Sequence, residues 1–346
     1  MAHLTSCQTI VTTKHVGAII CLIVSSMLLG GVLGNYLSQH HVLTLKVALA
    51  LISVAYERKP KGIGLKHGGC PSSTVPILRT NVQDPDIPRP SFVPGPLEHC
   101  VAVIQTNIAD SNKKFFGSSA SMTLYKPRVQ KGQWSSSRIK LSNGVDSIEA
   151  GWMVNPTLFN DNDAHFYARS IVGQKECLNQ CDNGFVQVSK AVPLGTIPDE
   201  YSEIGGDQHT WKITIRKHIE DDNWCLIIFD KDGVSIPVGY WPKGLFTSLV
   251  DVANQVEWGG EINDPRPTSP GPEMGCGRMA SYNTQYSAFF KQVTVDIEKS
   301  KNVEPQDTKK GLIVRPYTMS WMKVISVIGV VSCIMEAIIY NILNPQ

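Results

Sequence analysis

Several signals are scarce or missing in this sequence, and each absence removes a class of function. Neither charge sign is in surplus: 32 basic residues face 30 acidic ones, for a net charge near +2. No run of Lys and Arg interleaved with aromatics is present to track a phosphate backbone, so nucleic acid is not an expected partner. No glycine-rich phosphate loop follows a strand, no His-Glu-x-x-His helix occurs, and there is no Gly-x-Ser-x-Gly elbow. Nucleotide, zinc-peptidase and serine-hydrolase chemistries therefore lack their usual signatures. Aromatic residues are only 8% of the chain, but 42% of its 346 residues are hydrophobic. That is enough for one domain with a sizeable core plus flanking segments, and too little for two large independent domains.

The nine cysteines are too dispersed for a small disulfide scaffold, and no two pairs have the spacing of a zinc finger or ribbon, so no metal is expected. Cys177 and Cys181 are the informative pair. Three intervening residues suit a local bridge across a tight loop in an oxidising compartment, and two reduced cysteines in a cytosolic loop are the alternative.

The chain divides into four parts. Residues 1–56 hold an apolar run from Val16 to Leu33 behind Lys14 and His15, with the length and flank of a signal peptide or anchor, and a second run broken by Lys46. Residues 57–96 are rich in proline and glycine and read as a linker or pro-segment, because prolines at this density hold neither a helix nor a central strand. From 97 to 300, short β-branched and aromatic runs alternate with turn signals such as Asp182-Asn183-Gly184 and Asp230-Lys231-Asp232-Gly233. Residues 301–346 form a tail whose apolar stretch carries Lys323 and Glu336, which are costly at membrane depth. Only 245–256, with Leu245, Leu249, Val252 and Val256 at three- and four-residue spacing, predicts a helix. The expected fold is all-β: an antiparallel β-sandwich with one short helix, flanked by apolar N- and C-terminal segments.

Two glutamates stand in apolar, strand-like settings where acidic residues are normally depleted. In Ser147-Ile148-Glu149-Ala150-Gly151-Trp152-Met153-Val154, alternation puts Glu149, Gly151 and Met153 on one face. In Gln255-Val256-Glu257-Trp258-Gly259-Gly260-Glu261-Ile262 it groups Glu257, Gly259 and Glu261. Both sites read Glu-x-Gly, and a glycine beside a carboxylate lets another backbone approach closely, as a peptide-binding cleft requires. Solvent-facing glutamates on the wet side of a sheet are the plainer alternative, carboxylates for a sugar or calcium another, and Glu261 competes with Glu257 for any catalytic role.

With these residues in view, the sequence resembles the plant neprosin family of glutamic peptidases. The resemblance runs through Gly-Cys-Pro-x-x-Thr-Val-Pro-Ile-x-Arg-Thr (69–80), Glu-Ala-Gly-Trp-x-Val-x-Pro (149–156), Phe159 and Asp161, Cys-x-x-x-Cys followed by Gly-Phe-Val-Gln-Val (177–188), Gly-Tyr-Trp-Pro (239–242), Leu245-Phe246 and Glu-Trp-Gly-Gly-Glu (257–261). These occur in the family's order over roughly residues 62–300. The resemblance implies an endopeptidase that cleaves after proline at acidic pH without metal or cofactor, with Glu149 and Glu257 as catalytic pair and Cys177 joined to Cys181. It makes Trp152, Tyr240, Trp241 and Trp258, with Gly151 and Gly259, candidates for the substrate cleft. It also implies proline-containing peptides as partners and the secretory pathway, extracellular or vacuolar, as location, with a membrane tether through the apolar ends as a further option. Departures stand at Arg138 and Lys140, where the family usually has Gln and Trp, at Ala168-Arg169-Ser170, which lacks an aromatic pair, and at Cys276-Gly277-Arg278-Met279, in place of Ser-Gly-His-Phe. An inactive relative serving as a secreted or surface binding protein is the alternative function.

Overall fold

A computed structural model describes residues 6–9, 74–78, 99–106, 113–181, 184–230, 232–264, 271–278, 283–299 and 301–314. The apolar runs expected to act as signal or membrane segments lie outside these residues, and among the described residues no helix is long and apolar enough to cross a membrane.

Two seven-stranded antiparallel sheets face each other, as the alternating runs predict. One orders its strands β15 (Lys301–Val303), β14 (Phe290–Glu298), β4 (Gly117–Thr123), β10 (Thr210–Lys217), β11 (Trp224–Phe229), β12 (Ser235–Trp241) and β9 (Val186–Gln187). The other orders β16 (Thr308–Val314), β3 (His99–Thr106), β13 (Gln255–Asn263), β5 (Trp134–Asn143), β6 (Asp146–Val154), β7 (Ala164–Val172) and β8 (Lys175–Leu178). β1 (Ser6–Thr9) and β2 (Thr74–Ile77) pair separately. β15 and β16 continue the two sheets past residue 300.

Alternation sets the core. Ile148, Ala150 and Trp152 of β6, Val256 and Trp258 of β13 and Ile139 and Leu141 of β5 point between the sheets, against Ala120, Met122, Ile213, Ile215 and Leu226 of the other. The opposite face of β6 is covered as well, since all nine residues of that strand are buried. Part of the cover is α1 (Pro156–Phe159). Asn155 caps this single turn by accepting from the Leu158 amide, Pro156 opens it and Asn160 closes it in the left-handed region. Its Leu158 and Phe159 pack with Leu78, next to β2, on Trp134, Met153 and Tyr167.

The helix expected over 245–256 does not form. A 3-10 turn spans Lys243–Leu245, and the rest is irregular up to β13. Leu249 and Val256 of the expected apolar face enter the core and Leu245 packs against it, while Ala253 is buried in place of Val252; the backbone groups a helix would pair internally are taken by distant side chains. Asp146 Oδ2 accepts the amides of Thr247 at 2.7 Å, Ser248 at 2.6 Å and Leu249 at 3.3 Å. Trp224 Nε1 donates to the Leu249 carbonyl at 2.8 Å, Lys217 Nζ to that of Val250 and Asn143 Nδ2 to that of Val252.

Burial alone would raise the Asp146 carboxyl, but the Ser248, Thr247 and Leu249 amides and the Thr247 hydroxyl outweigh it and lower its pKa to about 2. A lowered folded-state pKa stabilises above the unfolded value near 4 and is lost as pH falls through 2. The difference corresponds to about 2–3 kcal/mol. Asp146→Asn is expected to remove a comparable stability at neutral pH and to flatten the acid limb of the unfolding curve between about pH 4 and 2. Urea titrations at stepped pH check this, and an unchanged acid limb would refute the anchoring role.

Candidate active site

Register decides which carboxylates meet. β5 runs between β13 and β6, and Lys140 pairs with Glu257 on one side and Glu149 on the other. The two glutamates therefore share one row on one face, two strand steps or about 10 Å apart at Cα. In the adjacent row Arg138 pairs with Gly259 and Gly151. One row further, Ser136 pairs with Glu261 and Met153.

Arg138 is the centre of the site. Its Nη1 donates to Glu257 Oε2 at 3.0 Å and its Nε to Glu261 Oε2 at 3.0 Å, with Glu149 Oε2 3.5 Å from Nε. From β7, Arg169 Nη1 donates to Glu149 Oε1 at 3.3 Å, Arg169 Nε lies 2.6 Å from Glu176 Oε1, and the Tyr167 hydroxyl donates to Glu149 Oε1 at 2.9 Å. His99 Nε2 of β3 lies 2.5 Å from Glu261 Oε1, and Gln255 Nε2 donates to Glu257 Oε1 at 3.3 Å. Two guanidinium groups thus face four carboxylates in a place largely shut off from water. The side chain of Glu257 keeps 13% of its surface exposed, against 3% for Glu149 and 5% for Glu261.

The electrostatics follow from this crowding. Burial would lower the proton affinity of Arg138, but Glu149, Glu261 and Glu257 hold it well above the ordinary arginine value. Burial would raise Glu261, yet Arg138, the His99 hydrogen bond and Arg169 hold its carboxyl well below the usual range. Burial pushes the Tyr167 phenol well up and the nearby Glu149 charge pushes it further, so it remains a hydrogen-bond donor. Glu176 is raised by burial, which prevails over its contact with Arg169. Among the described residues no group of three His, Cys, Asp or Glu side chains is placed to hold a metal ion; here the carboxylates converge on guanidinium groups.

Glu149, Glu257, Gly151 and Gly259 are thus brought together, and the aromatic cleft candidates are not. Trp152 and Trp258 point to the opposite side of their strands, into the core. Trp258 Nε1 donates across the sandwich to Ser118 Oγ at 2.9 Å, and Trp152 packs on Phe166 and edge-on to Trp211. Trp241 is buried in the other sheet against Phe185, and Tyr240, its half-buried neighbour on β12, faces away from that core. The three tryptophans are corrected from cleft wall to sandwich core: alternation assigns a side chain to a face, and Trp152 and Trp258 directly follow or precede residues on the site face.

The glycines also act differently from the expectation. A Cβ on Gly151 would stand 1.9 Å from the Ser137 carbonyl oxygen, and one on Gly259, whose φ is +155°, would stand 2.1 Å from that of Ala102. The backbone that approaches each glycine is its neighbouring strand, so the space is already filled. Sequence reasoning registered Arg138 and Arg169 only as departures and missed Tyr167 and His99 altogether. The available signal was charge complementarity: two arginines in strand-like runs of a chain with unpaired strand glutamates.

Cys177 and Cys181 are joined by a disulfide, their Cα atoms 5.9 Å apart. The bridge ties the end of β8 to the loop after it, beside Gly184, where a Cβ would stand 2.6 Å from Cys177 Sγ.

Comparison with known proteins places residues 131–320 in a match to the family described as Neprosin. Among solved structures, the chain is similar to Scytalido-glutamic peptidase with a peptide-based transition-state analogue, at 9% identity over 63% of this chain and 88% of that one, with a TM-score of 0.33. A second similar structure is SCP-B, a member of the Eqolisin family of peptidases in complex with the tripeptide Ala-Ile-His, at 9% identity, 63% and 87% coverage and the same TM-score of 0.33.

Proposed function

We propose, since this chain belongs to the Neprosin family, that it is a glutamic endopeptidase cutting after proline in the acid range, with Glu149 and Glu257 as its working carboxylates. Membership supports a peptidase as the broad class; the choice of proline, the acid range and the residue roles are the finer parts of the proposal. The observation that carries the assignment is the shared row: Glu257 and Glu149 stand on one face with a single strand between them.

Glu257, the carboxylate with most access to water, takes the role of base and removes a proton from the attacking water. Glu149, positioned by Tyr167 and by Arg169, carries the proton that hydrogen-bonds the scissile carbonyl as charge develops there. The Cys177–Cys181 disulfide fits an oxidising compartment, which supports a secretory route, extracellular or vacuolar. A second reading, a non-catalytic binding sandwich, is favoured by one observation: Arg138 occupies the space between the two glutamates with 2% of its side chain exposed.

Incubating the full chain with a proline-rich protein from pH 2 to 8 and sequencing the fragments by mass spectrometry separates them. New termini after proline, confined to acid samples, are the expected result. Cuts elsewhere would refute the proline specificity, and an intact substrate at every pH would favour the binding reading.

A further inference from the structure

Two carboxylates facing one site normally relieve their repulsion by keeping one proton between them, which raises one of the pair. In this chain a fixed cation stands there instead. Arg138 lies one row from the line joining Glu149 and Glu257, and its guanidinium reaches Glu257 at 3.0 Å, Glu261 at 3.0 Å and Glu149 at 3.5 Å. The flanking residues in its own row, Gly151 and Gly259, have no side chains to displace it. It has little freedom to leave, being fully buried and bonded to two of the carboxylates.

We infer that Arg138 is a positioning residue that takes the place of the shared proton, so that the whole carboxylate group is ionised until strong acid. The inference rests on the peptidase reading for its consequence in catalysis. An ionised pair lacks the donor that the proposed mechanism requires, so Arg138 confines cleavage to lower pH than an arginine-free pair would allow.

The charges facing this group come from every neighbouring strand. Lys140 lies on β5 in the row of the glutamates, Tyr167 and Arg169 on β7, His99 on β3 and Glu176 on β8. Arg169 pairs with Glu149 and Glu176 and reaches Glu261 at 3.9 Å without contacting Glu257, and His99 pairs with Glu261. Among the described residues only Arg138 contacts all three of Glu149, Glu257 and Glu261 within hydrogen-bond or near hydrogen-bond distance. Its removal therefore acts on the three together, while loss of one carboxylate acts with the opposite sign on the other two.

The test is a carbon-13 NMR titration of glutamate carboxyl signals in the full chain, run beside the pH profile of cleavage. Arg138→Gln is expected to move the first protonation of the group, and the alkaline limb of activity with it, upward by about one to three pH units. Arg138→Lys, which keeps the charge, should restore most of the native position. Glu261→Gln should move protonation of the remaining pair downward, because it removes a negative charge and leaves Arg138 fewer partners. An unmoved titration in folded Arg138→Gln overturns the inference. If that variant does not fold, an unmoved or upward titration in Glu261→Gln does the same. Titrations that move as stated in a chain that cleaves nothing at any pH sustain the role of Arg138 and defeat the peptidase reading instead.

Discussion

Glu257→Gln is expected to cut peptide cleavage by about 10²–10⁴-fold, the loss typical of removing a general acid–base group. The amide keeps the shape of the side chain and still offers an oxygen to Arg138 Nη1, which now bonds Glu257 Oε2 at 3.0 Å. It cannot take a proton from water. Because this side chain is the most exposed of the three glutamates, the fold should lose little, about 1 kcal/mol. Glu149→Gln should be milder in activity, since an amide can still donate to the developing oxyanion. Glu261→Gln should show the reverse pattern. Its carboxylate is buried against Arg138 and His99, so breaking that pairing costs about 3 kcal/mol or more in stability, with a smaller loss of cleavage. Melting curves and kcat/KM for the three variants check the set. Abolition of cleavage by Glu261→Gln, with Glu257→Gln active and folded, would show that the dyad belongs to Glu261.

Gly151→Ala is expected to destabilise the sandwich by about 3 kcal/mol or more, lowering the melting temperature by roughly 10 °C. The added methyl would meet the Ser137 carbonyl at 1.9 Å and the Arg138 Cα at 2.9 Å, both main-chain atoms of the neighbouring strand. Neither can rotate aside as a side chain would, so the strand itself has to move, and Arg138 moves with it. Loss of activity should therefore accompany loss of stability. A variant that melts like the native chain and fails only in cleavage would show that the glycine faces an open cleft, as the Glu-x-Gly pattern by itself implies. The same contrast at Gly259 tests the other side of Arg138, where the Ala102 carbonyl is the obstacle.

Alternation and turn chemistry were enough to read the sandwich class, the faces carrying Glu149 and Glu257, and the core position of Ile148 or Val256, because a strand's period is a local property of its backbone. The pairing of Cys177 and Cys181 was legible for the same reason, since the end of β8 and the loop that follows it are close in sequence. The segment 245–256 shows the limit of local reading. Its apolar spacing suits a helix, yet Asp146, Trp224, Lys217 and Asn143, at the ends of four other strands, claim its backbone groups, and long-range hydrogen bonds outweigh a marginal helical preference. The site follows the same rule. That Glu149 and Glu257 share a row with Lys140, that Arg138 stands between Gly151 and Gly259, and that Tyr167, Arg169 and His99 close around them depends on strand order and register. These residues are up to 162 positions apart, as His99 and Glu261 are. Sequence alone determined which side chains carry charge and which face of a strand they occupy. Only the tertiary structure decided that the glutamates are held by arginines instead of water, because pairing across strands is set by the folding of the whole sheet and leaves no periodic mark on any one strand.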